Sequence, residues 1–290
     1  MNHKNTTKIG LLIVCVLMLV TAVTAWRTNL FTRPPAANDG QPSKSLPPQS
    51  ELETSSEAEV VASQEISEPS ESGQEPLEKK KLEGKLVALT FDDGPSYNTA
   101  ELLAVLKEED IKATFYVVGI NVANNPDALR QIADEGHEIG NHTFNHARLT
   151  SLSDEDVKKE IEDCVDLVQD LLGVRIHSMR PPFGSYDDRV RQLVDMPIIL
   201  WSVDPRDWEI RDADAVYTSV VNRVADGDII LLHDPYFSTT EAVKHIIPEL
   251  KSQGYTFVTV EELTNARLGD ADPEPNVVYT SFPIQNQSLK

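Results

Sequence analysis

The spacing of hydrophobic and polar positions divides the chain into distinct regimes. From Ile9 to Trp26 the residues are uncharged and mostly apolar; as a helix this run would be about 27 Å long, enough to cross the hydrocarbon core of a bilayer. From Arg27 to about Gly84 the chain is rich in Ser, Pro and Glu, as in SLPPQSELETSSEAEV, with almost no aromatic residues. Such a composition cannot bury enough apolar area to offset the entropy of ordering. From Lys85 to about Asn265 short β-rich runs alternate with longer amphipathic patterns. KLVALTF, KATFYVV, EIGNH, IILWSVD, DIILLH and TFVTV read as strands. Helical spacing predicts helices over 99–109, 126–135, 154–172, 187–194, 213–224 and 240–253. Pro248 should kink or end the last of these.

Strands alternating with helices predict parallel β/α units, and the roughly 180 residues involved suit one domain. The expected organisation is a cytoplasmic N-terminus over 1–8, a transmembrane anchor or signal segment over 9–26, a disordered linker over 27–84, a folded domain over 85–265 and a polar tail over 266–290, loose or hugging the surface. Lys4 and Lys8 precede the apolar run, which favours a cytoplasmic N-terminus and an exported remainder. A retained single-pass anchor is the expectation. Val23-Thr24-Ala25 offers a small-residue cleavage site, and cleavage would make the protein secreted. As a flexible tether the linker would hold the domain on the order of 40 Å from the membrane.

Charge narrows the partners. The formal net charge is −21, and between Lys85 and Asn265 there are 16 basic against 33 acidic residues, so the folded domain carries most of it. A field of that sign repels nucleic-acid phosphates and favours neutral or cationic ligands. Cys15 lies in the apolar run, leaving Cys164 as the other cysteine; no intrachain disulfide can staple the exported domain. Cys164 shares a helical face with Val157, Ile161, Val168 and Leu171, the pattern of a buried core thiol.

Candidate chemistry gathers where the strands finish. TFDDGP places Asp92 and Asp93 side by side, although successive residues of a regular strand point to opposite faces. Gly94 and Pro95 offer a way out: if the strand stops there, its alternation breaks and both carboxylates can turn into one cavity. His142 and His146 in HTFNH are four apart, which by itself is a weak sign of metal ligation. RPPFG over 180–184, DPRDW over 204–208 and His233 at the end of DIILL complete the set. Polar groups at the ends of several parallel strands are how β/α barrels build active sites. His137, His177 and His245 read as packed or surface histidines.

TFDDGP, HTFNH, RPPFG, DPRDW and LLHD, in this order and at these intervals, resemble the polysaccharide deacetylase family, the fourth family of carbohydrate esterases. The resemblance covers essentially the whole folded region. It implies an α/β fold, a distorted, incomplete (β/α) barrel, and removal of N-acetyl or O-acetyl groups from polysaccharides with a bound divalent metal. Zinc is the first expectation, with cobalt, nickel and manganese as alternatives. Carried over residue by residue, it makes Asp93, His142 and His146 the metal ligands, Asp92 the general base and His233 the general acid. Asp207 would be the partner of His233 and Arg180 the arginine that orients the base. The main-chain N–H of Phe183 would help to stabilise an oxyanion, and Trp208 and Leu231 would form a slot for the acetyl methyl.

An acid suited to amide cleavage, together with export and tethering near a wall, points to the N-acetylglucosamine residues of peptidoglycan. A deacetylase of poly-N-acetylglucosamine or chitin oligosaccharides, an O-acetyl xylan esterase, and a wall-binding module without turnover are the alternatives.

Overall fold

The computed structural model describes Leu82 and residues 84–269 and 271–283. These lie within one compact unit, Gly73–Lys290. The expected cytoplasmic N-terminus over 1–8, the anchor over 9–26 and the linker over 27–84, apart from Leu82 and Gly84, fall outside the described residues. Among the described residues no helix is long and apolar enough to cross a membrane.

A five-stranded parallel sheet organises the domain. It is built from β1 (Lys85–Gly94), β2 (Thr114–Val117), β3 (Glu138–Asn141), β5 (Asp228–His233) and β6 (Tyr255–Val258). β1 is its centre: Leu86 to Phe91 are buried on both faces, as a near-continuous apolar run in a parallel sheet requires. One edge of β1 pairs with β5 from Val87 to Asp92. The other is shared, β6 taking Lys85 to Ala88 and β2 taking Thr90 to Gly94. Single parallel bridges carry the pairing onward from Asn141 to Met179 and from Met179 to Ile198 in β4 (Ile198–Ile199). Val203 then bridges to Ile230 of β5, so the pairings run round a ring.

Helices cover the sheet: α1 (Thr99–Glu108), α2 (Gly119–Asn124), α3 (Pro126–Asp134), α4 (Asp154–Leu172), α5 (Asp188–Leu193), α6 (Asp207–Ile210), α7 (Ala213–Val221), α8 (Phe237–Ser252) and α9 (Val260–Leu268). α4 shows how its sequence sets its limits. The Ser153 hydroxyl accepts from the Asp156 N–H, three acidic residues occupy the first turn, and Gly173 ends the helix at φ 71°. Its buried stripe is Val157, Ile161, Cys164 and Val168. Cys164 is a core thiol, its pKa pushed up to about 12 by burial.

Several elements depart from the sequence pattern. Pro248 neither ends nor precedes a boundary but lies inside α8. It faces solvent, where water can take the carbonyl it leaves unpaired. IILWSVD forms only two regular strand residues plus the Val203 bridge. TFVTV ends at Val258, because Thr259 caps α9 in a reciprocal box with Glu262. The described part of the polar stretch after Asn265, which ends at residue 283, joins the fold: β7 (Val278–Tyr279) pairs with β4, and Phe282 is buried.

Candidate active site

The carboxylate pair is resolved by a bulge. β1 continues through Gly94, but its register with β2 slips between Asp92 and Gly94. Asp93 sits at φ 69°, and Asn121 Nδ2 donates to its carbonyl at 2.9 Å. The strand ends at Gly94, as expected, and the break in alternation takes the form of a bulge: the extra residue is Asp93, and the bulge redirects side chains that alternation would separate. Asp92 is buried and Asp93 partly exposed.

The two histidines follow β3 in an irregular turn, with no helix to align them. Thr143 and His146 have φ of 65° and 55°. Asn141 pins the turn: its Oδ1 accepts from Thr143 N–H at 2.7 Å and its Nδ2 donates to Ile161 carbonyl at 2.9 Å. His142 Nε2 lies 3.5 Å and His146 Nε2 3.2 Å from Asp93 Oδ1. One donor atom from each of Asp93, His142 and His146 lies within 4.8 Å of the other two. His142 Nδ1 is 2.6 Å from the Arg180 carbonyl, which can only accept; Nδ1 therefore carries the proton and Nε2 presents its lone pair. Burial drives the His142 pKa down to about 3, against the attraction of Asp93. A neutral imidazole with a fixed tautomer, a second imidazole and a carboxylate fit a divalent cation and leave room for a water or substrate.

Arg180 is fully buried beneath this cluster. Its Nη1 donates to Asp92 Oδ1 at 2.7 Å and to Thr90 Oγ1 at 2.8 Å, while Nε and Nη2 reach the carbonyls of Ile199 and Leu200 at 3.0 and 2.9 Å. The guanidinium stacks 4.2 Å from the Tyr116 ring centre. Burial raises the Asp92 pKa above its ordinary value, with Arg180 and His233 opposing the rise.

On the neighbouring strand His233 is the direct register partner of Asp92. Asp207, fully buried at the start of α6, accepts from His233 Nδ1 and from the His233 backbone N–H, both at 2.8 Å, and from Thr239 Oγ1 at 2.6 Å. Burial alone would lower the His233 pKa. The hydrogen bond and charge of Asp207, with the charges of Asp92 and Asp93, outweigh it and raise the value to about 9.

Asp92, Asp93, His142, His146 and His233 line one cavity of about 480 Å³, together with Phe183, Trp201, Asp204, Trp208, Leu231 and Tyr236. Phe183, at φ 62°, packs edge-on against His146 with ring centres 4.7 Å apart. Every sequence-predicted site residue is thus in or directly behind the cavity. Asp204 also accepts from Arg206 N–H at 2.7 Å, a turn contact. His137 is a packed histidine: its Nδ1 accepts from Ala113 N–H at 3.1 Å, and burial lowers its pKa to about 4. His177 lines a different cavity and His245 packs against Tyr217. Sequence reasoning missed Thr90, Thr239, Trp201 and Tyr236. For Thr90 the signal was available, because it lies two residues before Asp92 on the same strand face.

Comparison with known proteins agrees with this geometry. Residues 79–196 match the family described as polysaccharide deacetylase. The peptidoglycan-N-acetylglucosamine deacetylase PgdA of Listeria monocytogenes is 40% identical over 185 residues, covering 63% of this chain and 40% of that protein. A peptidoglycan-N-acetylglucosamine deacetylase of Bacillus cereus is 39% identical over 188 residues, 62% of this chain and 88% of that protein. This chain thus spans about two fifths of the Listeria relative and most of the Bacillus one. A family 4 acetyl xylan esterase from Clostridium thermocellum, solved with a cobalt ion, superposes with a TM-score of 0.65 at 37% identity, covering 69% of this chain and all of that one. With its parallel α/β sheet and five motifs meeting in a single cavity, this chain belongs to the polysaccharide deacetylase family.

Proposed function

We propose that this chain is a metal-dependent hydrolase that removes N-acetyl groups from the N-acetylglucosamine residues of a cell-wall polysaccharide, peptidoglycan first, on a distorted, incomplete (β/α) barrel. The pairing of Asp92 and His233 across β1 and β5, a base and an acid side by side in the cavity that holds a triad suited to a cation, carries the proposal. The names of the Listeria and Bacillus relatives support the substrate.

Asp93, His142 and His146 would hold the cation. When bound, it supplies Lewis acidity, making a water easier to deprotonate and drawing charge from the acetyl oxygen. Zinc suits the mixed oxygen and nitrogen donors, and cobalt, nickel or manganese would also bind. Asp92, oriented by Arg180, accepts the proton of the attacking water. Its burial makes it a stronger base than an exposed carboxylate. The Phe183 N–H donates to the developing oxyanion. An amine leaves poorly unless it is protonated, and His233, kept charged by Asp207, delivers that proton as the C–N bond breaks. Trp208 and Leu231 wall the acetyl methyl.

The apolar run over 9–26 would anchor the chain in the cell membrane, with the domain extracytoplasmic at the end of its linker, or be cleaved to release it. Acetate release by the full chain, with zinc or cobalt, from peptidoglycan, chitin oligosaccharides and acetylated xylan tests the assignment. Release from the first two supports it, and release from acetylated xylan alone replaces it with an O-acetyl esterase, the reading favoured by the Clostridium structure. Release from none would leave a wall-binding module.

A further inference from the structure

Large aromatic side chains are exposed at five places among the described residues: Tyr97, Phe183, Tyr186, Trp208 and Phe237. All five lie on segments that carry the site. Tyr97 follows Asp92 and Asp93, Phe183 and Tyr186 follow Arg180, Trp208 adjoins Asp207, and Phe237 follows His233. Phe183 and Trp208 line the cavity, and the cavity does not account for Tyr97 or Phe237. These two are 74% and 52% exposed, and they pack on each other with ring centres 5.4 Å apart at 56°. Tyr236, the chain neighbour of Phe237, belongs to the cavity wall, so the pair continues the site outward along its β1 and β5 side.

The backbone presenting the pair is held from below. Asn98, next to Tyr97, is fully buried. Its Nδ2 donates to the Asp234 carbonyl at 2.7 Å and to Thr240 Oγ1 at 2.8 Å. The Asp234 carboxylate, also buried, accepts from the Ser96 hydroxyl and from Thr99 Oγ1, the latter at 2.7 Å. Residues on both sides of Tyr97 are therefore tied to residues on both sides of Phe237. Two large aromatics kept out of the core on so constrained a base form a preorganised surface, which little ordering entropy penalises on binding. Exposed apolar area concentrated beside a cleft marks a recognition surface.

We propose that Tyr97 and Phe237 form a platform for a pyranose ring of the same glycan, beyond the residue that reacts in the cavity. A pyranose has an apolar C–H face and hydroxyls at its rim, and an aromatic ring offers the matching flat apolar surface. The strongly acidic domain tolerates such an uncharged ring. The platform rests on the polysaccharide reading above and gives this chain a preference for polymer over short fragments.

The test is calorimetric titration of the full chain with the dimer and the hexamer of β-1,4-linked N-acetylglucosamine, with acetate release measured separately in zinc. The wild-type chain binds the hexamer more tightly than the dimer. The double variant Tyr97→Ala with Phe237→Ala loses about tenfold of that preference, whereas Tyr97→Phe retains it. A misfolded variant would weaken both oligomers alike, so the ratio isolates the platform. An unchanged ratio in the double variant overturns the proposal. Absent acetate release with the hexamer preference intact would dismiss the deacetylase assignment and leave the platform standing.

Discussion

Arg180 Nη1 donates to Asp92 Oδ1 at 2.7 Å, with both side chains buried. The same guanidinium is tied to Thr90 and to the carbonyls of Ile199 and Leu200, so it cannot follow Asp92 if that carboxylate moves. Asp92, the proposed base, is held at a fixed point, and its own burial raises its proton affinity. Asp92→Ala should lower kcat by about 10²- to 10⁴-fold while glycan binding is kept. Steady-state kinetics with a glycan titration check this, and a variant with normal turnover would remove Asp92 from the mechanism.

Arg180→Lys keeps the charge but not the fork of donors. An ammonium cannot reach Asp92, Thr90 and two carbonyls at once. A fall in kcat of about 10²-fold or more is expected, together with a lower melting temperature, because buried acceptors lose their partners. Kinetics and thermal unfolding of the same preparation measure both.

As the proposed acid, His233 should set the alkaline side of the pH profile. It must carry a proton to act as the acid, and its pKa stands at about 9, above the ordinary histidine value. Activity should therefore be present below that value and be lost as pH rises through it, with a bound cation moving the limb to lower pH by repulsion. Asp207→Asn removes the hydrogen bond to a charged acceptor and leaves burial, which lowers the pKa. The alkaline limb of kcat/KM should move to lower pH in that variant. An unmoved limb would show that another group supplies the proton.

Gly140→Ala tests the support beneath the site. A methyl there would lie 2.4 Å from the ring of Tyr116, which stacks under the Arg180 guanidinium. The ring cannot yield without shifting Arg180. Destabilisation of about 1–3 kcal/mol is expected, seen as a lower melting temperature, with a loss of kcat larger than for an alanine substitution at exposed Gly173.

Much of the site was legible because its chemistry sits in short motifs at strand ends. Asp92, Asp93, His142, His146 and His233 need only the strand assignments and their order to be brought together. The way Asp92 and Asp93 share a cavity was less legible, since a bulge at φ 69° leaves no compositional mark on an aspartate. Thr239 escaped notice because its contact with Asp207 spans 32 residues. Trp201 lies in a run whose regular strand is only two residues long, so alternation could not place it. Pro248 misled because propensity takes no account of which helix face meets water.

On the proposed mechanism Asp93, His142 and His146 hold a cation on which turnover depends. The direct measurement is acetate release from peptidoglycan by the full chain after exhaustive chelation and dialysis, then again after zinc or cobalt is restored, with bound metal determined in parallel for the wild-type chain and for His142→Ala. Release should be lost on chelation and recover with about one ion per chain, and the variant should show neither ion nor recovery. Release that survives complete removal of metal would contradict it.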